Sequence, residues 1–399
     1  MTRSRHPAAA GLAAGLAAVG LLGAGCGAPS AHPAPATTVP SVPSPVATSV
    51  LTSGGTWAVA VMGGSAAVHD NFWQLFVRPT GDTTWTLATP PGVADNGGLV
   101  VVGLGGRSLA AGFRPSQGLT FSPLATTSDE GHTWSSGSLL DAGIAAVPDA
   151  LAAAPGSGRM LALLTSGDVQ QAASGTAAWS RLTSQRSVAA SPAGLRCALA
   201  GLTAVSFTPR GAPLLAGTCG HRGVAGIFAA TATATGGAAW QAAGPALPAS
   251  LAGQPVEVLR LMTTPSGSAA LLVAGTGSGA SLIAAWTGDP SAVPAHWTVS
   301  PPLGLDAAQV LSSGFGPDGV IGVILSDGRA FAVGASAADW RTLPALPRGT
   351  ATLAPEAGGE FDALAVSGSK LTVWRLASVS AAWTRTQVIS VPVQYGTSG

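Results

Sequence analysis

Seven tryptophans spaced 43 to 61 residues apart, two sets of Pro- and Gly-bearing turns ahead of them, and short β-branched runs between those turns predict an all-β protein. The fold expected is a seven-bladed β-propeller of four-stranded antiparallel blades, with six or eight blades as the alternatives that the spacing leaves open. One such blade cannot bury both of its faces. The repeats must therefore pack around an axis.

The chain begins with Arg3, Arg5 and His6, followed by uncharged residues 8–25, rich in Ala, Leu and Gly. A run of about 18 residues is marginal for a spanning helix, and its glycines weaken helix formation, so 1–25 is read as a signal peptide. The run ends Leu21-Leu22-Gly23-Ala24-Gly25-Cys26, which resembles a bacterial lipoprotein signal. That resemblance implies that Cys26 is acylated and becomes the mature N-terminus, anchoring an extracytoplasmic protein to the membrane. Gly23 departs from the pattern, which usually has Leu three residues before the Cys. Plain secretion, with cleavage near Ala28 or Ala31, is the alternative. With Cys26 lipidated, Cys197 and Cys219 remain as a disulfide pair in an oxidising compartment, or else as two buried thiols. Residues 26–53 are dominated by Pro, Ala, Thr and Ser and carry no charge, so they read as a semi-extended tether. The propeller is assigned to 54–399, as a monomer.

The repeat is marked by Trp85, Trp134, Trp179, Trp240, Trp297, Trp340 and Trp383. Ahead of four of them by 23 to 32 residues come Pro155-Gly156, Pro209-Arg210-Gly211, Pro265-Ser266-Gly267 and Pro317-Asp318-Gly319. Nearer lie Ser166-Gly167-Asp168, Arg222-Gly223, Ser326-Asp327-Gly328 and Ser367-Gly368-Ser369. These residues supply the backbone geometries that tight hairpins need. Between them, runs such as Leu99-Val100-Val101-Val102 and Leu271-Leu272-Val273 have strand length and are too short for helices. Residues 56–61 are expected to form a first strand that completes the last blade and closes the ring.

Thr127-Ser128-Asp129-Glu130-Gly131-His132-Thr133-Trp134 resembles the Asp-box of sialidase-like propellers, a Ser/Thr-x-Asp-x-Gly-x-Thr-Trp turn. Its chemistry follows from the spacing. The Asp129 carboxylate can accept N–H bonds inside the turn, Gly131 takes a positive φ, and Trp134 packs between neighbouring blades. The resemblance implies a turn between the third and fourth strands of a blade, on the face away from the usual active site. It predicts fold rather than chemistry.

Charged residues are 9% of the chain, against a usual figure of about 25%. Eighteen basic and 17 acidic residues leave a net charge of +1, with no basic block of the kind nucleic-acid binding requires. Lys370 is the only lysine; with 17 arginines this fits a high-GC, actinobacterial genome. Sialidases are the enzymatic relatives that the Asp-box resemblance suggests. They clamp a carboxylate with three arginines and use a Tyr nucleophile paired with Glu. Here Tyr395 is the sole Tyr and the only glutamates are Glu130, Glu257, Glu356 and Glu360. Phe113-Arg114-Pro115 is similar to their arginine-bearing motif but lacks its Ile. No Gly-x-Ser-x-Gly elbow, phosphate loop or metal-ligand spacing is present, so no catalytic residue, metal or cofactor is assigned. The reading is a non-catalytic binding or assembly scaffold for an envelope protein or glycan, with a sialidase-like glycan hydrolase as the alternative. The candidate ligand-binding residues, on loops expected to rim a central funnel, are Arg114, Arg186, His221, Arg222 and Arg329. Their basic character suits an acidic or carboxylated ligand.

Overall fold

Each tryptophan of the repeat stands in, or one residue before, the outermost strand of a four-stranded antiparallel unit. The computed structural model describes residues 47–63, 71–90, 99–113, 124–136, 148–174, 177–232, 238–264, 266–292, 295–316 and 319–391. Among these, seven units follow one another in sequence: 47–87, 99–136, 150–184, 199–242, 256–299, 310–342 and 350–390. In each, the chain runs from the innermost strand outward through three hairpins. Both sets of predicted turns fall at the first and second hairpins, with Pro265, Pro317 and Asp318 lying outside the described residues. The described residues contain no helix long and apolar enough to cross a membrane.

Packing follows from strand alternation, which sends successive side chains to opposite faces. In the fully buried strand Gly267–Ala274, Leu271 and Val273 pack against unit 6, whereas Ala270, Leu272 and Ala274 pack against unit 4. Each face of a unit thus feeds a different apolar cluster. Seven clusters result, each shared by consecutive units, and one of them joins unit 7 to unit 1 through Ala354, Leu364, Leu371, Ala58, Met62 and Phe76. A fully buried Leu or Phe contributes about 1.5–3 kcal/mol, so continuous apolar strands, which suggest a membrane segment in hydropathy alone, are what a unit buried on both faces requires.

The innermost strands form few ladder bonds with one another, and hydroxyls join unit 4 to unit 5 and unit 7 to unit 1. Thr203 Oγ1 donates to Val258 O at 2.5 Å, Thr263 Oγ1 to Phe207 O at 2.5 Å and Ser49 Oγ to Leu353 O at 3.0 Å, while Thr352 Oγ1 reaches Val59 O in the second strand of unit 1. Farther out, the indoles take over. Trp134 Nε1 donates to Ala88 O, Trp297 to Ala243 O, Trp340 to Pro301 O and Trp383 to Pro344 O, at 2.8–3.3 Å. Each acceptor lies three or four residues beyond the tryptophan of the preceding unit. In four of the seven units, then, the repeated tryptophan makes the same inter-unit bond.

Three expectations need correction. The tether does not extend to residue 53: Ala47–Thr52 is the innermost strand of unit 1, antiparallel to Gly55–Gly63 and parallel to unit 6 through Ala47–Ser49 opposite Ser312–Gly314. Residues 56–61 belong to the second strand of unit 1, and unit 7 draws all four of its strands from 350–390, so no strand exchange completes it. Two short helices, Gln185–Ala189 and Pro192–Cys197, occupy the connection into unit 4 and account for the longest tryptophan interval. Ser184 and Ser191 cap them by accepting the N–H groups of Ser187 and Gly194. Cys197, ending the second helix, is disulfide-bonded to Cys219 at the end of strand Pro213–Cys219.

Candidate functional site

The 127–134 turn lies between the third and fourth strands of unit 2. Thr127 Oγ1 donates to Asp129 Oδ1 at 2.8 Å and accepts the Gly131 N–H at 3.0 Å. Asp129 also accepts the Thr133 N–H at 2.9 Å and the Thr133 hydroxyl at 2.6 Å. These bonds, the Thr133 hydroxyl foremost, pull the Asp129 pKa down to about 2. Gly131 has φ +83°, and a Cβ there would lie 2.7 Å from the Ala88 Cβ, so only glycine fits. Glu130 pairs with Arg107 at 2.6 Å. The side chains of Thr127, Asp129, Glu130 and Thr133 thus hold the turn or its neighbours.

Arg186, His221, Arg222 and Arg329 sit on the other face, on second hairpins or on the connections between units. The structure does not gather them into a cluster of free cations. Arg329 donates to Asp327 at 2.6 Å, Asp306 at 3.1 Å and Leu305 O at 3.0 Å, tying the second hairpin of unit 6 to the connection that enters that unit. Arg222 donates to Gly253 O at 3.1 Å, and His221 Nδ1 lies 2.7 Å from Arg196 O. Arg186 is exposed on the first helix. Cys26, Arg114 and Tyr395 lie outside the described residues. Among the described residues, no three His, Cys, Asp or Glu side chains come together as a metal site would require.

A different arginine occupies the axis. Two adjoining cavities, about 130 and 100 Å³, run between the innermost strands, and both are lined by Val101, Leu151, Val205, Arg260 and Leu261. Arg260 is the sole cation in either lining. A register shift between Val258 and Arg260 marks a β-bulge, the device that re-aims side chains within strands. Units 4, 6 and 7 have shifts at corresponding places, followed by Ala204, Ser312 and Thr352. Unit 5 alone of these puts a long charged residue there. The Arg260 guanidinium lies 5.8 Å from the centre of the Phe315 ring. Among the described residues no carboxylate pairs with it. Desolvation alone pulls its pKa down to about 10, leaving it charged at neutral pH. At the rim, Asp149 accepts the Thr165 hydroxyl at 3.2 Å, and burial raises its pKa. A desolvated charge without a counterion is costly to maintain, which marks such groups as functional candidates.

No family model and no curated protein matches the sequence. Among solved structures the chain is similar to a protein from Lactobacillus plantarum, with a TM-score of 0.51, 11% identity, and coverage of 85% of this chain and 97% of that one. That neighbour is a propeller. The chain is a β-propeller. It is also similar to YCF48 from Cyanidioschyzon merolae (TM-score 0.46, 13% identity, 86% and 95% covered) and to YCF48 bound to a D1 peptide (TM-score 0.45, 16% identity, 84% and 92% covered). In this propeller, Arg260 was not among the residues singled out by sequence reasoning. The signal lay in Val-Glu-Val-Leu-Arg-Leu-Met, 256–262, where a charge interrupts an innermost apolar strand.

Proposed function

We propose that this propeller is a closed, seven-bladed, non-catalytic scaffold, exported and held at the cell surface by a lipid on Cys26, that grips an anionic group of an envelope protein at Arg260. One observation carries the reading: a desolvated guanidinium in the axial channel that no carboxylate among the described residues pairs with. Guanidinium forks match carboxylate and phosphate oxygens, and charge-assisted bonds of this kind are the strong ones. The cavities hold about 130 and 100 Å³, below the ~300 Å³ usual for small-molecule pockets. That size favours a chain end or a side-chain head group over a whole small molecule. The lipid on Cys26 and the export rest on the sequence pattern alone.

Crosslinking in intact cells, followed by mass spectrometry, tests the proposal. Wild type should yield a crosslinked envelope partner that Arg260→Gln loses while keeping the wild-type melting temperature. Equal recovery of that partner from both would sink the channel reading. In the same cells, Cys26→Ser should move the protein out of the membrane fraction.

A further inference from the structure

The two short helices between units 3 and 4 lie on the face opposite the 127–134 turn, and each is too short to stand alone. Their surroundings hold them. A Cβ at Gly194 would collide with the Val188 carbonyl, so the helices touch. The Cys197–Cys219 disulfide fixes the second helix to the second hairpin of unit 4. The N–H groups of Gly220 and His221 add bonds to Ala198 O at 2.9 Å and Cys197 O at 3.0 Å. Arg222 and the Gly223 N–H bond in turn to Gly253 O and Gln254 O, in the connection into unit 5, at 3.1 and 2.7 Å. Helices, hairpin and connection form one platform.

This platform is apolar at its tip and cationic around it. Leu195 is 64% exposed, more than any other large apolar side chain among the described residues. Its helix buries Ala193, Gly194 and Cys197 and leaves Leu195 and Arg196 outside. Arg186 and Arg222 are exposed as well, and no carboxylate among the described residues pairs with any of these three arginines. A backbone carbonyl, the partner of Arg222, leaves its charge uncompensated. Residues 185–198, 219–224 and 249–255 contain no Asp or Glu. Among the described acids at this end of units 3 to 5, Asp168 pairs with Arg181 at 2.7 Å, Glu257 is buried, and Asp149 stands at the rim of the axial channel.

An apolar tip among unpaired guanidinium groups suits the boundary of an anionic bilayer, where the tip meets acyl chains and the cations meet phosphates. Each such cation strengthens association with the surface about fivefold. Topology points the same way. Ala47–Thr52 leads from its Thr52 end into the first hairpin of unit 1, so Ala47 stands at the opposite face, the one that carries the platform. Cys26 is joined to the propeller through Ala47, and a lipid on it is attached to that face.

We propose that residues 185–198 and 219–223 dock on anionic phospholipid head groups, so that this face of the propeller lies against the membrane. The orientation rests partly on the lipid at Cys26, but the charge and exposure of the platform do not. By itself the contact is weak and reversible; it adds to an anchor and does not replace one.

The test is vesicle flotation of the chain as cells export it, comparing phosphatidylcholine vesicles with vesicles that also contain phosphatidylglycerol. Wild type should partition about a hundredfold more strongly into the second kind, and salt should erase the difference. Replacing all three platform arginines, Arg186→Gln, Arg196→Gln and Arg222→Gln, should bring the ratio close to one. Leu195→Ser should weaken partition into the anionic vesicles about fivefold. The same loss of charge elsewhere, through Arg107→Gln, Arg210→Gln and Arg385→Gln at exposed positions away from the platform, should leave the ratio unchanged. Intact mass shows separately whether Cys26 is acylated. An unacylated chain that still prefers phosphatidylglycerol would end the anchor reading and support the platform. A wild-type ratio near one, with Cys26 acylated or not, overturns the platform and leaves the anchor to the mass measurement. Equal losses in the two triple variants overturn it as well.

Discussion

Asp129 and Arg260 are opposite cases of a charged side chain in a chain that has few. Asp129 is surrounded by donors, which hold its pKa near 2, below the ordinary 3.8. A depressed carboxylate stabilises the fold fully above its unfolded pKa and loses that contribution as pH falls through the folded one. The 127–134 turn should therefore weaken between about pH 4 and pH 2. Tryptophan fluorescence during acid titration should contain this step, and Asp129→Asn should lack it while being less stable at neutral pH. A trace for Asp129→Asn identical to wild type would count against the turn's role. Arg260 has the reverse surroundings, an aromatic ring and no acid. The sequence distinguishes the two unevenly. Asp129 sits in a local motif whose partners are within four residues, so its role is legible in one dimension. The partners of Arg329, by contrast, include Asp306 and Leu305, more than 20 residues away, and nothing in the sequence reveals that its guanidinium is already occupied. The isolation of Arg260 depends on several strands meeting around an axis.

At the scale of elements, turns and strands were legible because their cues are local: Pro and Gly at the hairpins, apolar runs between them. The first strand was misread for a related reason. Ala47-Thr48-Ser49-Val50-Leu51-Thr52 contains no proline, yet it follows a proline-rich stretch and shares its small polar residues, so composition carried the tether too far. What makes it a strand is its partners, Gly55–Gly63 on one side and Ser312–Gly314 on the other. This leads to a direct test with two truncations. A chain starting at residue 47 should unfold with wild-type cooperativity in urea. A chain starting at residue 54, which keeps everything first assigned to the propeller, should lose cooperativity or aggregate, because it leaves two strand edges unpaired. Equal behaviour of the two would contradict the assignment of 47–52 to unit 1. The helices at 185–197 escaped detection because each spans under two turns, too little for any hydrophobic period to develop.

At the scale of the molecule, the seam between units 7 and 1 differs from several of its counterparts. Trp85 bonds not to a carbonyl of the preceding unit but to Asp362 Oδ2 at 2.9 Å, and Gln387 clasps its backbone N–H and C=O at 2.7 and 2.8 Å. Asp362, wholly buried, also pairs with Arg375 at 2.9 Å and Arg78 at 3.2 Å. Removing one partner from a buried ion cluster leaves the others uncompensated, typically at about 3–5 kcal/mol. Asp362→Ala should lower the unfolding free energy obtained from urea titration by an amount of that order. A change under about 1 kcal/mol, the scale of a surface pair, would mean that the seam relies on its apolar contacts alone. Polar closure also has a timing consequence for the growing chain. Ser49 is made early, but the Leu353 carbonyl it bonds lies 304 positions later. At the ~5–20 residues per second of synthesis, roughly 15–60 s separate the two. Until its parallel partner Ser312–Gly314 is made, which is most of that interval, the opening strand has an unpaired edge, with only its own hairpin for company. Any factor that shields nascent chains would meet this protein at its beginning, and would have to release it only when the end arrives.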